Sequence, residues 1–264
     1  MLRPLALLLL ALAAGPAAAQ QPPDVHAIVQ RMKTALEPAR ASTRRIVLTL
    51  QSDGETAQYT AAQARKVVDG QQRMLTVVLA PSDARGVASL IMEGKNGKHE
   101  DQALWIPIIR RTRILAPVTA HEAFLQSDFT YADMGFVDLS ATWSLRGTGT
   151  RDGVQTFELQ EVPKSPWYYS KILTWVDQKT ALPVERDYYD PAGALWKVET
   201  FEQVSVIDGV PSAMRITMKD VQTKNATVLD VSALRYDVDL PDSLFTPADL
   251  RRAIDAPVWP TVGK

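Results

Sequence analysis

Hydropathy repeats every second residue over much of this chain. It starts at Ser42, where Ile46, Leu48 and Leu50 alternate with Val47, Thr49 and Gln51. Further short runs follow at 64–68, 74–80, 87–92 and 104–109, separated by "SDGE", "VDGQQ", "PSDARG" and "EGKNGKHED". After a break the pattern resumes in "ATWSLRGTGT", "VQTFELQEV", "YYSKILTWVD", "PVERDYYD", "LWKVETFEQVSVI", "SAMRITMKDV" and "NATVLDVSALRYDV". Side chains on a strand point alternately to two faces, so each run reads as a half-buried strand. Short turn-rich gaps join antiparallel neighbours, whereas parallel strands need long crossovers. Roughly eleven strands at this even spacing predict a mainly β fold with one antiparallel sheet, rolled into a sandwich or barrel.

Three segments break the alternation. "PPDVHAIVQRMKTALEP" has Val25, Ile28, Val29, Met32 and Leu36 at helical spacing, with Asp24 as N-cap and Pro38 as terminator. "PVTAHEAFLQSDFTYADMG" carries capping boxes at Thr119/Glu122 and Thr130/Asp133, which predict two short helical turns. Near the end, Thr246 as N-cap, Pro247 at N1 and Asp249 at N3 mark a further helix start.

The first residues differ from the rest. Arg3 precedes an apolar run from Leu5 to Ala14, and Ala17-Ala18-Ala19 supplies an A-x-A cleavage pattern. Residues 1–19 therefore read as a secretory signal peptide cut before Gln20, and 20–264 as one exported domain. The run is shorter than the ~20 apolar residues of a membrane span. There is no cysteine, so no disulfide supports the fold and no amino-terminal cysteine can be lipidated. The net charge of -1, with both signs interspersed, gives no reason to expect a nucleic-acid surface.

Catalytic and metal motifs are missing. His26, His99 and His121 lack ligand spacing, and there is no H-E-x-x-H, P-loop, G-x-S-x-G elbow or helix-opening G-x-G-x-x-G. "RGTGTRDG" lies between two strands and reads as a hairpin, and the carboxylates of "DYYD" fall on opposite strand faces. We expect no enzyme, metal or cofactor.

Several strands have one oily side. Leu75 and Val77, then Trp105 and Ile109, then Trp196 and Val198, then Met214, Ile216 and Met218 each share a face, while Lys197 and Glu199 alternate with the third set. These faces, with Leu48, form either an ordinary core or the lining of a cavity that the side chains cannot fill. A barrel of eight strands is about filled, and more strands leave more room. Seven methionines suit an adaptable lining. "WIPIIRRTRIL" (105–115) is peculiar: a proline sits in an apolar run that turns into Arg110, Arg111 and Arg113. Pro107 argues for an edge or bulge. The arginines are then either gatekeepers of an exposed edge or a cavity rim that holds an anionic head group or acidic partner.

The chain, from its helix and long meander through "LWIPIIRRTRI" and "FLQSDFTYADM" to "LPDSLFTPADL", resembles the outer-membrane lipoprotein-sorting protein family, relatives of the periplasmic carrier LolA. The resemblance implies a half-open barrel of about eleven strands closed by helices around a hydrophobic cavity for acyl chains. It implies a carrier of lipid or lipoprotein that makes only transient membrane contact. An inner-membrane exporter of the resistance-nodulation-division type and an outer-membrane acceptor would be its partners. Residues 119–134 would be a lid or a fixed plug, with Phe124, Phe129 and Tyr131 facing the cavity. An RseB-like envelope-stress sensor is the alternative. Burying one methylene is worth ~0.8 kcal/mol, so a sixteen-carbon chain gains roughly 12 kcal/mol in cavity or bilayer alike. A carrier must nearly match the bilayer without far exceeding it.

Overall fold

The computed structural model describes residues 24–94, 101–116, 121–164 and 168–259. The expected signal peptide, Thr119 and His99 lie outside these residues. Helix α1 (Val25–Leu36) forms as the periodicity predicts. Asp24 caps it by accepting from the His26 amide at 3.0 Å, and Ile28, Val29 and Met32 make its buried stripe.

Thirteen strands follow: β1 (Ser42–Ser52), β2 (Glu55–Val68), β3 (Gln71–Ala80), β4 (Ala88–Met92), β5 (Asp101–Ile106), β6 (Arg111–Leu115), β7 (Thr142–Arg151), β8 (Val154–Val162), β9 (Lys171–Asp177), β10 (Pro183–Tyr189), β11 (Leu195–Ile207), β12 (Val210–Asp220) and β13 (Ala226–Tyr236). They form one antiparallel sheet in the order β6-β5-β4-β3-β2-β1-β13-β12-β11-β10-β9-β8-β7. Two meanders thus join at the β1–β13 ladder, and the sheet curls without closing, because β6 and β7 are both edges. Four hairpins turn on Asp-Gly pairs: 53–54, 69–70, 152–153 and 208–209. Both residues of each pair have positive φ, as at Asp53 (50°) and Gly54 (79°). This backbone matches the right-handed strand twist of a two-residue hairpin, and glycine takes its second position without a Cβ clash.

The count exceeds eleven mainly because β6 is hidden in the hydropathy pattern. Its residues Arg111–Ile114 are exposed, so nothing requires apolar alternation there. The expected strand 104–109 ends at Ile106, and Pro107–Ile109 form a 3-10 turn instead. Proline lacks the amide a ladder needs, and Arg110 in the left-handed region (φ 49°) completes the reversal.

Alternation sorts the core by face. On the concave side of β1, Ile46, Leu48 and Leu50 meet Ala61, Met74, Ile91, Met218 and Leu229. On the other side of β2–β5, Ala64, Leu75, Val77, Leu90 and Ala103 are covered by the carboxy-terminal segment through Leu240, Leu244, Phe245, Leu250 and Ala253. Helix α1 packs over the far end of the concave face, against Trp143, Leu159 and Val176. At the carboxy terminus the Thr246/Asp249 box forms, with the hydroxyl at 2.8 Å from the carboxylate. It closes a turn ahead of the short helix α2 (Leu250–Ala253), whose N-cap is Asp249 rather than Thr246.

The β6–β7 connection must cross from one sheet edge to the other. Residues 121–141 do so over the concave face, burying Phe124, Phe129, Tyr131 and Met134 in the same cluster as Ile46 and Leu48. The expected helical turns are a 3-10 turn at Phe124–Gln126 and a hydrogen-bonded turn at 130–134. The Thr130/Asp133 box is made in both directions: the Thr130 amide donates to Asp133 at 2.8 Å, and the Asp133 amide donates to the Thr130 hydroxyl at 3.1 Å. No described helix is long and apolar enough to cross a membrane.

Candidate functional site

Between the concave face and the crossing segment lies a cavity of about 910 Å³. Its roof is residues 132–140, its apolar wall includes Phe129, Met134, Trp143, Ile172, Phe201 and Ile216, and the end of α1 contributes Leu36 and Glu37. Leu139 lines the space and is also 42% exposed, which marks the mouth.

The roof is pinned from below. Lys197, 4% exposed, donates to the Asp128 carbonyl at 2.7 Å and to the Asp133 carboxylate at 3.3 Å. The Tyr169 hydroxyl donates to the other Asp133 oxygen at 2.8 Å. The Thr227 hydroxyl on β13 donates to the Asp128 carboxylate at 2.7 Å. Further along, the Val137 amide donates to Glu37 at the end of α1, at 2.5 Å.

The wall is far from purely apolar. Arg186 lies 3.4 Å from Glu199, and the Tyr188 hydroxyl donates to the same Glu199 oxygen at 2.6 Å. Burial raises the Glu199 pKa against the pull of Arg186. Burial also disfavours the Arg186 charge, yet Tyr188 and Glu199 together hold its pKa above the ordinary value. Glu161, the neighbour of this group on β8, is pushed up to about 7 by burial, with Arg186 opposing. Facing them across the cavity are Arg44 on β1 and Arg65 on β2. Burial, then the like charge of Arg65, lowers Arg44 to about 10. Outside the lining, at the crossing segment, burial lowers His121 to about 4, and its ring stacks on Tyr168.

The expected lining residues separate into three groups. Phe129 and Ile216 line the cavity. Leu48, Phe124, Tyr131 and Met218 lie in the packed core beside it, with Trp196 and Met214 packed against that core. Leu75, Val77 and Trp105 are on the opposite face of the sheet, under the carboxy-terminal segment. They alternate with the inward Met74 and Thr76, so a face read as cavity lining is a second core. Val198 also faces away, paired with Asp187 and Lys219.

The charged positions expected to be wet, Lys197 and Glu199, are the inward ones, each 4% exposed. Val204 and Val206, in the projecting end of the β11–β12 hairpin, are 49% and 69% exposed. Ile109 is 47% exposed on the edge turn. Arg110, Arg111 and Arg113 stand exposed on the β5–β6 hairpin, and none of the three lines the cavity.

Arg44, Arg65, Glu161, Arg186, Lys197 and Glu199 were missed by the hydropathy reading. Parity was the available signal: Arg44 is in phase with Ile46, Leu48 and Leu50, Glu161 with Leu159, and Glu199 with Phe201. Among the described residues no group of acidic or histidine side chains could hold a metal ion.

Known proteins share this architecture. A model for a family described only as an uncharacterized protein matches residues 70–252. A DUF1329 family protein from Desulfovibrio piger is 25% identical, with 85% of this chain and 97% of that one covered and a TM-score of 0.80. A domain from Vibrio parahaemolyticus described as an outer membrane lipoprotein-sorting protein is also 25% identical, covering 86% and 98%, with a TM-score of 0.81. A LolA superfamily protein from Nitrosomonas europaea shares the fold at 21% identity, covering 84% and 97%, with a TM-score of 0.69. No curated protein matches the sequence.

Proposed function

The chain belongs to the LolA-like, outer-membrane lipoprotein-sorting family, and we propose a carrier that moves lipid or lipoprotein acyl chains through the periplasm. The observation that carries the proposal is the 910 Å³ space between the concave face and the crossing segment. Ligand pockets run from about 300 to 1,000 Å³, so this one is large for a sheet with a packed core beneath it. Its wall of Phe129, Met134, Trp143, Ile172, Phe201 and Ile216 offers an apolar surface for a chain. The similarity to a lipoprotein-sorting domain supports the same reading.

The proposal divides the crossing segment. Residues 124–134 are a fixed plug, because Lys197, Tyr169 and Thr227 hold Asp128 and Asp133 from beneath. Residues 135–140, half-buried to exposed, form the entrance. Cargo enters beside Leu139, receives no chemistry, and leaves to an acceptor at similar free energy. Cleavage of residues 1–19 would deliver the domain to the periplasm, where an inner-membrane exporter and an outer-membrane acceptor are its partners.

Native mass spectrometry of gently purified protein tests this, together with titration of a fluorescent fatty acid. Co-purified lipid and saturable binding are expected. An empty protein that binds no probe refutes the carrier. Recovery of a transmembrane anti-sigma factor in place of an exporter would favour the regulatory alternative.

A further inference from the structure

The cavity contains two guanidiniums with no anion of their own. In the β1–β2 ladder Arg44 is opposite Gln63 and Ser42 is opposite Arg65. Arg44 and Arg65 are therefore diagonal neighbours, ~7–8 Å apart at the backbone, and both line the cavity. Like-charge neighbours in a recess are unfavourable, so an opposite charge is needed to balance them.

The described protein groups do not supply that balance. The Arg44 side chain makes one hydrogen bond, from Nε to Gln63 Oε1 at 2.7 Å. Gln63 is itself held by donating to the Thr76 hydroxyl at 2.9 Å. The Arg65 Nη1 donates to the Leu36 carbonyl at 2.6 Å. Neither guanidinium forms an ion pair among the described residues. Glu37 is the nearest carboxylate to influence Arg65, but its oxygens accept from Lys33 and from the Val137 amide. Lys33 also pairs with Glu93 at 2.7 Å. This end of the cavity thus holds Lys33, Arg44 and Arg65 against Glu37 and Glu93, a surplus of one positive charge.

The arrangement is directional. Nε of Arg44 is tied to a buried amide that is itself held by Thr76, and the Arg44 side chain lines the cavity. A polar annex of about 40 Å³ adjoins the main cavity here, bordered by Ser42, Gln63 and Tyr236 as well as by both arginines. That is room for about one water or a small head-group atom cluster. Arginine is suited to carboxylate and phosphate oxygens because its planar fork donates two parallel bonds. Away from the pair, the concave face continues as Phe201, Ile216 and Leu229.

The geometry points to a head-group site: Arg44 and Arg65 together clamp the single negative charge, carboxylate or phosphodiester, of a one-headed amphiphile whose chain runs along the apolar wall. This rests on the carrier reading and narrows its cargo to anionic amphiphiles. Gln63 is a positioning residue, acting through Arg44.

The test uses the mature chain and three probes matched in chain length: palmitate, hexadecanol and palmitoyl-lysophosphatidylglycerol, titrated by calorimetry at pH 8. Wild type is expected to bind the anions more tightly than the alcohol. Arg44→Gln with Arg65→Gln should weaken an anion roughly ten- to hundred-fold, the worth of charged hydrogen bonds, and leave hexadecanol within about two-fold. Arg44→Lys should retain part of the preference, a result that separates charge from fold damage. Selective loss of palmitate assigns a carboxylate, and selective loss of the lysolipid assigns a phosphodiester. Equal weakening of alcohol and anions, or no weakening at all, overturns the clamp while leaving the carrier intact. Absence of binding by any probe overturns both.

Discussion

Glu161→Gln isolates one half-buried charge. In the folded protein this carboxyl is pushed from its ordinary 4.5 up to about 7, chiefly by burial. A pKa raised on folding stabilises the protein where the group is protonated in both states, and that contribution is lost as pH rises through the folded value. The loss therefore starts near 4.5 and is complete a little above 7. At 1.36 kcal/mol per pH unit, ionisation at pH 8 costs the fold at most ~3 kcal/mol. Glu161 is only half-buried, and solvent screening reduces this, so we expect about 1–3 kcal/mol. Glutamine keeps the shape and never ionises. The variant should therefore match wild type at pH 4.5 and exceed it at pH 8. For a domain of this size, each kcal/mol moves Tm by about 2–4 °C, which gives a gain of roughly 2–12 °C at pH 8. Differential scanning fluorimetry across this range reads the difference directly, and subtraction removes other groups that titrate in both proteins. A gain independent of pH would show that folding does not raise the Glu161 pKa, and a loss at pH 8 would show that its ionised form is satisfied in the native cavity.

Other consequences follow from the same contacts. Lys197→Ala leaves the Asp133 carboxylate without its cation, though still hydrogen-bonded to Tyr169 and Thr130, and should cost about 3 kcal/mol in urea denaturation; a near-neutral result would mean that the plug is not held there. Phe245→Ala opens the core on the non-cavity side, with an expected cost of ~3–5 kcal/mol and unchanged fatty-acid affinity in the molecules that remain folded. Replacing Arg110, Arg111 and Arg113 together with glutamine should leave cargo affinity unchanged, because none lines the cavity. The same variant should aggregate faster by light scattering if these charges guard the β6 edge. Identical aggregation rates would remove the gatekeeper role.

The sheet could be read from hydropathy because strand alternation and Asp-Gly turns are local signals. β1's Ile46, Leu48 and Leu50 are buried in phase as expected, and the 53–54 hairpin follows from two residues that accept positive φ. α1 is legible for the same reason, its cap and its stripe both lying within one short window. β6 was hidden because an exposed edge strand needs no apolar face. Which face of each strand meets the cavity is another matter. Leu75 and Val77 are as oily as any lining, and Lys197 and Glu199 as charged as any surface. Their places are set by the carboxy-terminal segment, which covers one face, and by the 121–141 crossing, which covers the other. Those partners lie far away along the chain. Strands, turns and the period of burial are legible along the chain, because they depend on neighbours a few residues apart. Which side lies inside is not, since burial of a face depends on what arrives to cover it. The same distant packing brought Arg44 and Arg65 into one cavity with Glu161, Arg186 and Glu199.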